Sequence, residues 1–334
     1  MRKCCAIIVL FLSACSGYFP GGGNKSQGTE SVSLEMSDGS GTLSSANHND
    51  ITPFLYRSGN RAWLFFASDR AGHYNIYFAE MDSNGRFFNL TMMDSNINSS
   101  YDTFSPVVFQ ATYYTTGSIY PTNNYISFLV VSNNATNLYT APIDSNFSTT
   151  SNATLAFASI PATHISLYDK SNYIIPTYTP TNNLLVSTGG SLCSNYQWSP
   201  LGLTNWTTYQ PDIDAGQTGS VYGIDGYPAP LPYYGSLFLM DIQSNNHRQL
   251  YFGALWVSNT SGNYTYTTNI YNISDYSSSY NDGYPCIDVA TLKVYFSSTR
   301  FGKGFWNLYR FNIKTFDKEI QWDNNATNAP ISKG

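Results

Sequence analysis

The feature that most limits what this chain can fold into is a recurring segment. It reads Trp63-Leu64-Phe65-Phe66-Ala67-Ser68-Asp69-Arg70, Gly72, then Asn75-Ile76-Tyr77. It returns near the C-terminus as Val294-Tyr295-Phe296-Ser297-Ser298-Thr299-Arg300, Gly302, then Asn307-Leu308-Tyr309. Further copies of the last element stand at Asn137-Leu138-Tyr139 and Asn269-Ile270-Tyr271, with a degenerate one at Asn195-Tyr196-Gln197-Trp198. An acidic residue followed by proline precedes each clear unit: Asp50…Pro53, Asp102…Pro106, Asp225-Gly226-Tyr227-Pro228 and Asp282-Gly283-Tyr284-Pro285. These pairings give units starting near 50, 102, 222 and 280, and a weaker fifth lies between 160 and 215 (Ile174-Ile175-Pro176, then Leu184 to Ser187, then Tyr196).

Each unit predicts four short strands. One opens near proline, where a missing N–H does least harm. An aromatic strand follows, a glycine turn leads to a third strand ending in Asn-(Leu/Ile)-Tyr, and a fourth closes the unit, as in Phe87 to Leu90 and Glu319 to Trp322. Strand signals without helical periodicity indicate an all-β sandwich, barrel or propeller. Recurrence of a four-strand unit every ~40–60 residues selects the β-propeller, whose blades bury their faces only against neighbours. We therefore expect four-stranded antiparallel blades, five in number, with six as the alternative.

Composition agrees. Charged residues are 11% of the 334, against roughly 25% in ordinary soluble domains. Twenty-eight Tyr and 20 Phe take much of that weight and suit a pleated, half-buried surface. The net charge of −5, with basic residues scattered singly, excludes the Lys/Arg patch of a nucleic-acid binder.

At the N-terminus, Arg2 and Lys3 precede an apolar run, Cys4 to Leu12, too short to span a bilayer. The run ends in Leu12-Ser13-Ala14-Cys15, which resembles the lipobox of bacterial lipoproteins. That resemblance implies cleavage before Cys15, a lipid on Cys15 and anchorage in the cell envelope, with Ser16 favouring the outer membrane over the inner. The expected layout is a signal peptide (1–14), lipidated Cys15 with a flexible tether (15–47), a propeller (48–324) and a C-terminal tail (325–334). Within the tether, the alternating Val32-Ser33-Leu34-Glu35-Met36 has the pattern of a docking edge strand. Only Cys193 and Cys286 remain after processing, too few for a disulfide framework, and unpaired cysteines are the expected state.

The Ser-Asp-Arg…Gly…Asn-Ile-Tyr and Ser-Thr-Arg…Gly…Asn-Leu-Tyr segments resemble the WD40-like repeats of TolB-type propellers. The resemblance is tight over 62–78 and 282–314, partial over 102–145 and 225–275, and poor between. It implies a non-enzymatic envelope module whose partner is another envelope protein or a peptide. The aromatic excess also fits a carbohydrate-binding or glycoside-hydrolase-like propeller, the second reading.

Candidate site residues follow from the propeller scheme. Asp50, Asp102, Asp225 and Asp282 precede innermost strands, so a ring of carboxylates at the channel mouth is one expectation, local turn capping the other. Arg70 and Arg300 hold matching places after their aromatic strands, fit either for ligand contact or for stacking and pairing within the blade. Trp198, Trp206 and Trp256 lie in the irregular units and are candidate rim contacts. The chain holds four Glu (Glu30, Glu35, Glu80, Glu319), none placed by the pattern near a channel, so no catalytic residue is assigned and no enzyme is expected. His48, His73, His164 and His247 lack metal-ligand spacing, and neither a metal nor a cofactor is expected.

Overall fold

The computed structural model describes residues 32–111, 114–115, 118–119, 123–160, 162–167, 183–187, 193–199, 202–209, 220–228, 235–244, 247–260, 263–272, 280–288, 290–291, 293–300 and 304–312. Every regular element among them is a strand. A short β1 (Val32–Ser33) comes first. Sheet I is then β2 (Asp50–Ser58), β3 (Arg61–Ser68), β4 (Asn75–Met81) and β5 (Phe87–Met92). Sheet II begins with β6 (Asp102–Ala111); a small hairpin, β7 (Tyr114–Thr115) and β8 (Ser118–Ile119), separates it from β9 (Asn123–Ser132), β10 (Ala135–Ile143) and β11 (Thr154–Phe157). Sheet III is β12 (His164–Leu167), β13 (Asn183–Ser187), β14 (Cys193–Ser199) and β15 (Gly202–Tyr209). Sheet IV is β16 (Ser220–Pro228), β17 (Gly235–Ser244), β18 (His247–Thr260) and β19 (Asn263–Asn272). Sheet V is β20 (Asp282–Asp288), β21 (Lys293–Ser298) and β22 (Asn307–Asn312), with β1 as its fourth strand.

The first strands of the sheets touch in sequence and close on themselves: β2 lies against β6, β6 against β12, β12 against β16, β16 against β20, and β20 against β2. Leu55 N donates to Cys286 Sγ at 3.3 Å and Arg57 pairs with Asp288, so β2 and β20 run the same way. Burial grades outward within a sheet. The strands β2 and β3 are buried almost throughout, whereas β5 is half exposed. Continuous burial without alternation means that both faces of an inner strand are covered. Antiparallel four-stranded sheets set round an axis in this way form a β-propeller.

The sheets are joined by side chains that leave their own sheet. Phe147, in the loop after β10, inserts its ring edge-on among Tyr56, Trp63, Phe65 and Phe78 of sheet I, at centroid distances of 5.9, 5.0, 5.0 and 5.2 Å. Such T-shaped contacts add to area burial. Sheets V and I are joined by the bidentate Arg57–Asp288 pair at 2.9 and 2.6 Å.

Four expectations are corrected. Residues 32–47 are folded rather than tether: β1 pairs with β22 (Val32 with Arg310, Ser33 with Tyr309), and Leu34 and Leu43 are buried. Ser44 Oγ accepts Leu308 N at 2.6 Å. The N-terminal strand therefore completes sheet V, the place expected of Glu319 to Trp322, which lie outside the described residues. Sheet III opens at His164, not at Ile174-Pro176, which also lie outside them. Prolines 53, 106 and 285 sit within bulges of inner strands rather than at their first residues. Cys286 is free and buried.

Replacing Phe147 with Ala removes a ring packed on four others, so a loss of roughly 3–5 kcal/mol is expected in denaturant melts. An unchanged midpoint would mean that this ring does not hold sheets I and II together.

Candidate functional site

The site begins with three bulges. Thr52, Ser105 and Tyr284 each stand just before proline with φ near +54° (54, 54 and 54). A β-branched or bulky residue seldom takes this conformation, and where it persists the surroundings enforce it. Here each is held from the neighbouring sheet. Ser105 N donates to Thr52 Oγ1 at 3.0 Å. Ser105 Oγ accepts Ile165 N at 2.8 Å and lies 2.8 Å from His164 Nδ1. Tyr284 N donates to Asp241 Oδ2 at 2.6 Å. A belt of bonds thus runs round much of the axis, from sheet I through II to III and between IV and V.

Tyr284 reaches across this belt. Its ring lies 5.9 Å from His164, although sheets III and V are not neighbours in the ring. The Arg248 guanidinium sits 4.1 Å above Tyr284 and 5.1 Å from Trp306, and the two rings are 5.7 Å apart. Arg248 is 8% exposed and pairs with the buried Asp241. Tyr284 and Trp306 are only half buried. Two aromatic faces, a cation and an imidazole therefore converge on the axis where the inner strands begin.

Around the cluster runs a second recurrent contact. The residue one before each buried opening position accepts the amide of a residue at the start of the preceding sheet's third strand. Asn49 Oδ1 takes Trp306 N (3.1 Å), Asp102 Oδ1 takes Tyr74 N (2.9 Å) and Asn281 Oδ1 takes Arg248 N (2.9 Å). Asp69 lies beside Asn49, accepting its backbone and side-chain N–H at 2.8 and 2.8 Å, with His48 at 3.5 Å. Burial, and then the charges of Asp69 and Asp102 among others, pushes the Tyr74 phenol well above its ordinary range, so it stays a hydrogen-bond donor. Asp69 and Asp102 are half-buried carboxylates at this mouth.

The carboxylate ring expected from sequence is not assembled. Asp50 and Asp282 do hold equivalent positions, opposite Ser68 and Ser298, but they are 0% and 1% exposed and face their own sheets. Arg70 Nη2 bonds Asp50 at 2.8 Å and Arg300 Nη2 bonds Asp282 at 2.6 Å. Each arginine also donates Nε to a serine (Ser68, 2.8 Å; Ser298, 3.1 Å). Each lies over two rings of its own sheet, Phe66 and Tyr77 or Phe296 and Tyr309. Arg70 and Arg300 are thus internal clasps, not ligand contacts. In sheet II the matching position is Thr103, one residue after Asp102. Asp225 pairs with Leu239 beyond the bulge of β16, and Pro228 pairs at the far end of that strand with Ser236, so this Asp-Gly-Tyr-Pro does not match the one at 282. Trp198, Trp206 and Trp256 lie on β14, β15 and β18, with side chains outside the described residues, as is Cys15 altogether. Among the described residues no cluster of metal-ligating side chains occurs.

The sequence pattern does not single out His164, Asp241, Arg248 or Trp306. Tyr284 was within reach, as the bulky residue between glycine and proline in an inner strand.

No family model and no curated protein matches the sequence. Solved structures do. One, described as showing that the GH130 family of mannoside phosphorylases contains glycoside hydrolases that target β-1,2-mannosidic linkages in Candida mannan, is 10% identical, with 90% of this chain and 94% of that one covered at a TM-score of 0.52. Another, a glycoside hydrolase, is 10% identical, with 93% of this chain and 65% of that one covered at a TM-score of 0.50. At this identity the likeness is one of fold. The solved structures that share this fold are described as glycoside hydrolases, against the expectation of a non-enzymatic scaffold. The residues Ser68, Arg70, Ser298 and Arg300 of the repeated motif form the clasps within sheets I and V.

Burial pushes the Asp50 carboxyl above its ordinary value, outweighing the opposing pull of Arg70. A carboxyl raised in this way favours the folded state most in acid and loses that contribution as pH rises through its folded value. Arg70→Ala removes the compensating charge and should cost roughly 3–5 kcal/mol near neutrality. The deficit should shrink on going to about pH 5, and Asp50→Asn should cost less than Arg70→Ala. Melts of the three proteins at both pH values check this; a deficit for Arg70→Ala that does not change with pH would refute it.

Proposed function

We propose that the chain is a five-bladed, carbohydrate-active propeller that takes its ligand at the mouth where the inner strands begin. The observation that carries this reading is the convergence of Trp306, Tyr284, Arg248 and His164 on the axis, with the carboxylates Asp69 and Asp102 alongside. Sugars present apolar C–H faces with hydroxyl rims, which half-exposed aromatic rings and charged hydrogen-bonding groups match. Glycoside hydrolysis needs two carboxyl groups, one of them protonated as general acid. Asp102 and Asp69 are the half-exposed pair at this mouth, and the protonated Tyr74 phenol beside them is a donor to a sugar oxygen. The shared fold of the glycoside hydrolases adds support.

A glycan array followed by calorimetry and reducing-sugar release tests it. Trp306→Ala should weaken glycan binding by about tenfold or more, the scale of a lost stacking contact. Asp102→Asn and Asp69→Asn should lower turnover by about a hundredfold or more while glycan still binds, as removal of acid–base groups does. Wild-type protein that binds no glycan and releases no sugar would refute the proposal.

The chain's placement belongs to the same proposal: a lipid on Cys15 holds the propeller at the outer membrane. Leu12-Ser13-Ala14-Cys15 supports it. Cys15→Ser should abolish palmitate labelling; unchanged labelling would remove the anchor.

A further inference from the structure

Away from the mouth, a cleft of about 490 Å³ opens where sheet V meets sheet I, between β1 and the β4–β5 turn. Its charged lining is Arg310, Arg86 and Glu35. Arg310 crosses from sheet V to sheet I, and its Nη1 donates to the Gly85 carbonyl at 2.6 Å. Gly85 has a φ of 77°, and a Cβ there would overlap the guanidinium, so the turn is shaped to admit it.

The charges behind the cleft do not balance. Arg310 lies opposite Tyr295 on β21, and Lys293 is two residues along the same strand, so both cations stand on the face turned toward sheet I. Arg57 enters from sheet I and takes both oxygens of Asp288. Among the described residues no ion pair joins Lys293 or Arg310 to a carboxylate. Burial, then the charges of Arg310 and Arg57, hold the Lys293 ammonium below its ordinary range, and Asp288 offsets this only in part. Arg86 faces Glu35 at 3.5 Å, but both are more than half exposed (52% and 55%), so that pair is weak. A chain with only 16 Lys and Arg gathers four of them here. Half-buried cations without counter-charge cost free energy unless something supplies the charge.

We propose that this cleft binds an oxyanion group of a small ligand (carboxylate, sulfate or phosphate), with Arg310 and Arg86 as its direct contacts and Lys293 adding positive potential from behind. The planar fork of arginine suits such a group. The site is remote from the mouth and stands or falls independently of the glycan reading.

The test is titration calorimetry of the full chain with sodium sulfate, inorganic phosphate and glucuronate, at ionic strength held constant with sodium chloride. At least one should bind with one-to-one stoichiometry. Arg310→Gln and Arg86→Gln should each weaken it by about tenfold, as loss of a charge-assisted contact does. Arg61→Gln, which breaks an exposed pair with Glu80, should leave it unchanged. Tighter binding of glucuronate would identify a sugar acid as the source of the group; equal or tighter binding of sulfate or phosphate would identify a free or esterified inorganic anion. Absence of heat with all three, or equal affinity in wild type and the variants, would overturn the proposal. If Arg310→Gln fails to fold, the exposed Arg86→Gln carries the test.

Discussion

The ring depends on one small contact made at each of three blade junctions. The carbonyl or carboxylate oxygen of Asn49, Asp102 or Asn281 accepts a backbone amide at the start of the third strand of the sheet before it. A four-stranded sheet in this molecule has two apolar faces and cannot be stable alone. Hydrophobic burial brings the sheets together but does not fix how far one slides along the next. A side-chain acceptor one residue ahead of the inner strand does, because it reads a particular amide. The requirement explains the residue types: Asn and Asp have acceptors on short stems that reach their target without ordering a long chain.

That constraint also explains how much of the molecule was legible in the sequence. Aromatic runs such as Trp63 to Ala67 and Val294 to Phe296 announce strands covered on both faces, and they are strands. Val32 to Met36 announces an edge strand, and β1 supplies it. Register was less legible. Asp-Gly-Tyr-Pro at 282 opens an inner strand, whereas the same four residues at 225 end one. A local motif sets local dihedral preferences, but register follows from which side chains the neighbouring sheet will bury. Asp102 shows the same limit on a smaller scale, since it lies one place from the position that Asp50 and Asp282 occupy and does the work of Asn49 instead.

The axial cluster was the least legible part. His164, Arg248, Tyr284 and Trp306 come from three sheets and share no motif; closure of the ring alone brings them together. The repeated arginines, by contrast, drew notice because they recur, and in sheets I and V they tie the interior of the blade. In a repeat protein, recurrence marks what the scaffold requires. The residues able to do something particular are those that break the repeat, as Arg248 does where Tyr74 and Trp306 stand in sheets I and V.

Completion of sheet V by β1 fixes when the protein can mature. Ser44 receives the amide of Leu308, 264 residues later. An emerging chain must therefore carry Val32 to Leu34 without their partners on β22 until the final sheet has left the ribosome. Until then, each finished blade presents an apolar flank and the first strand has no mate. Such a chain gains most of its protection in one late step, and its vulnerable period is set by the time of synthesis.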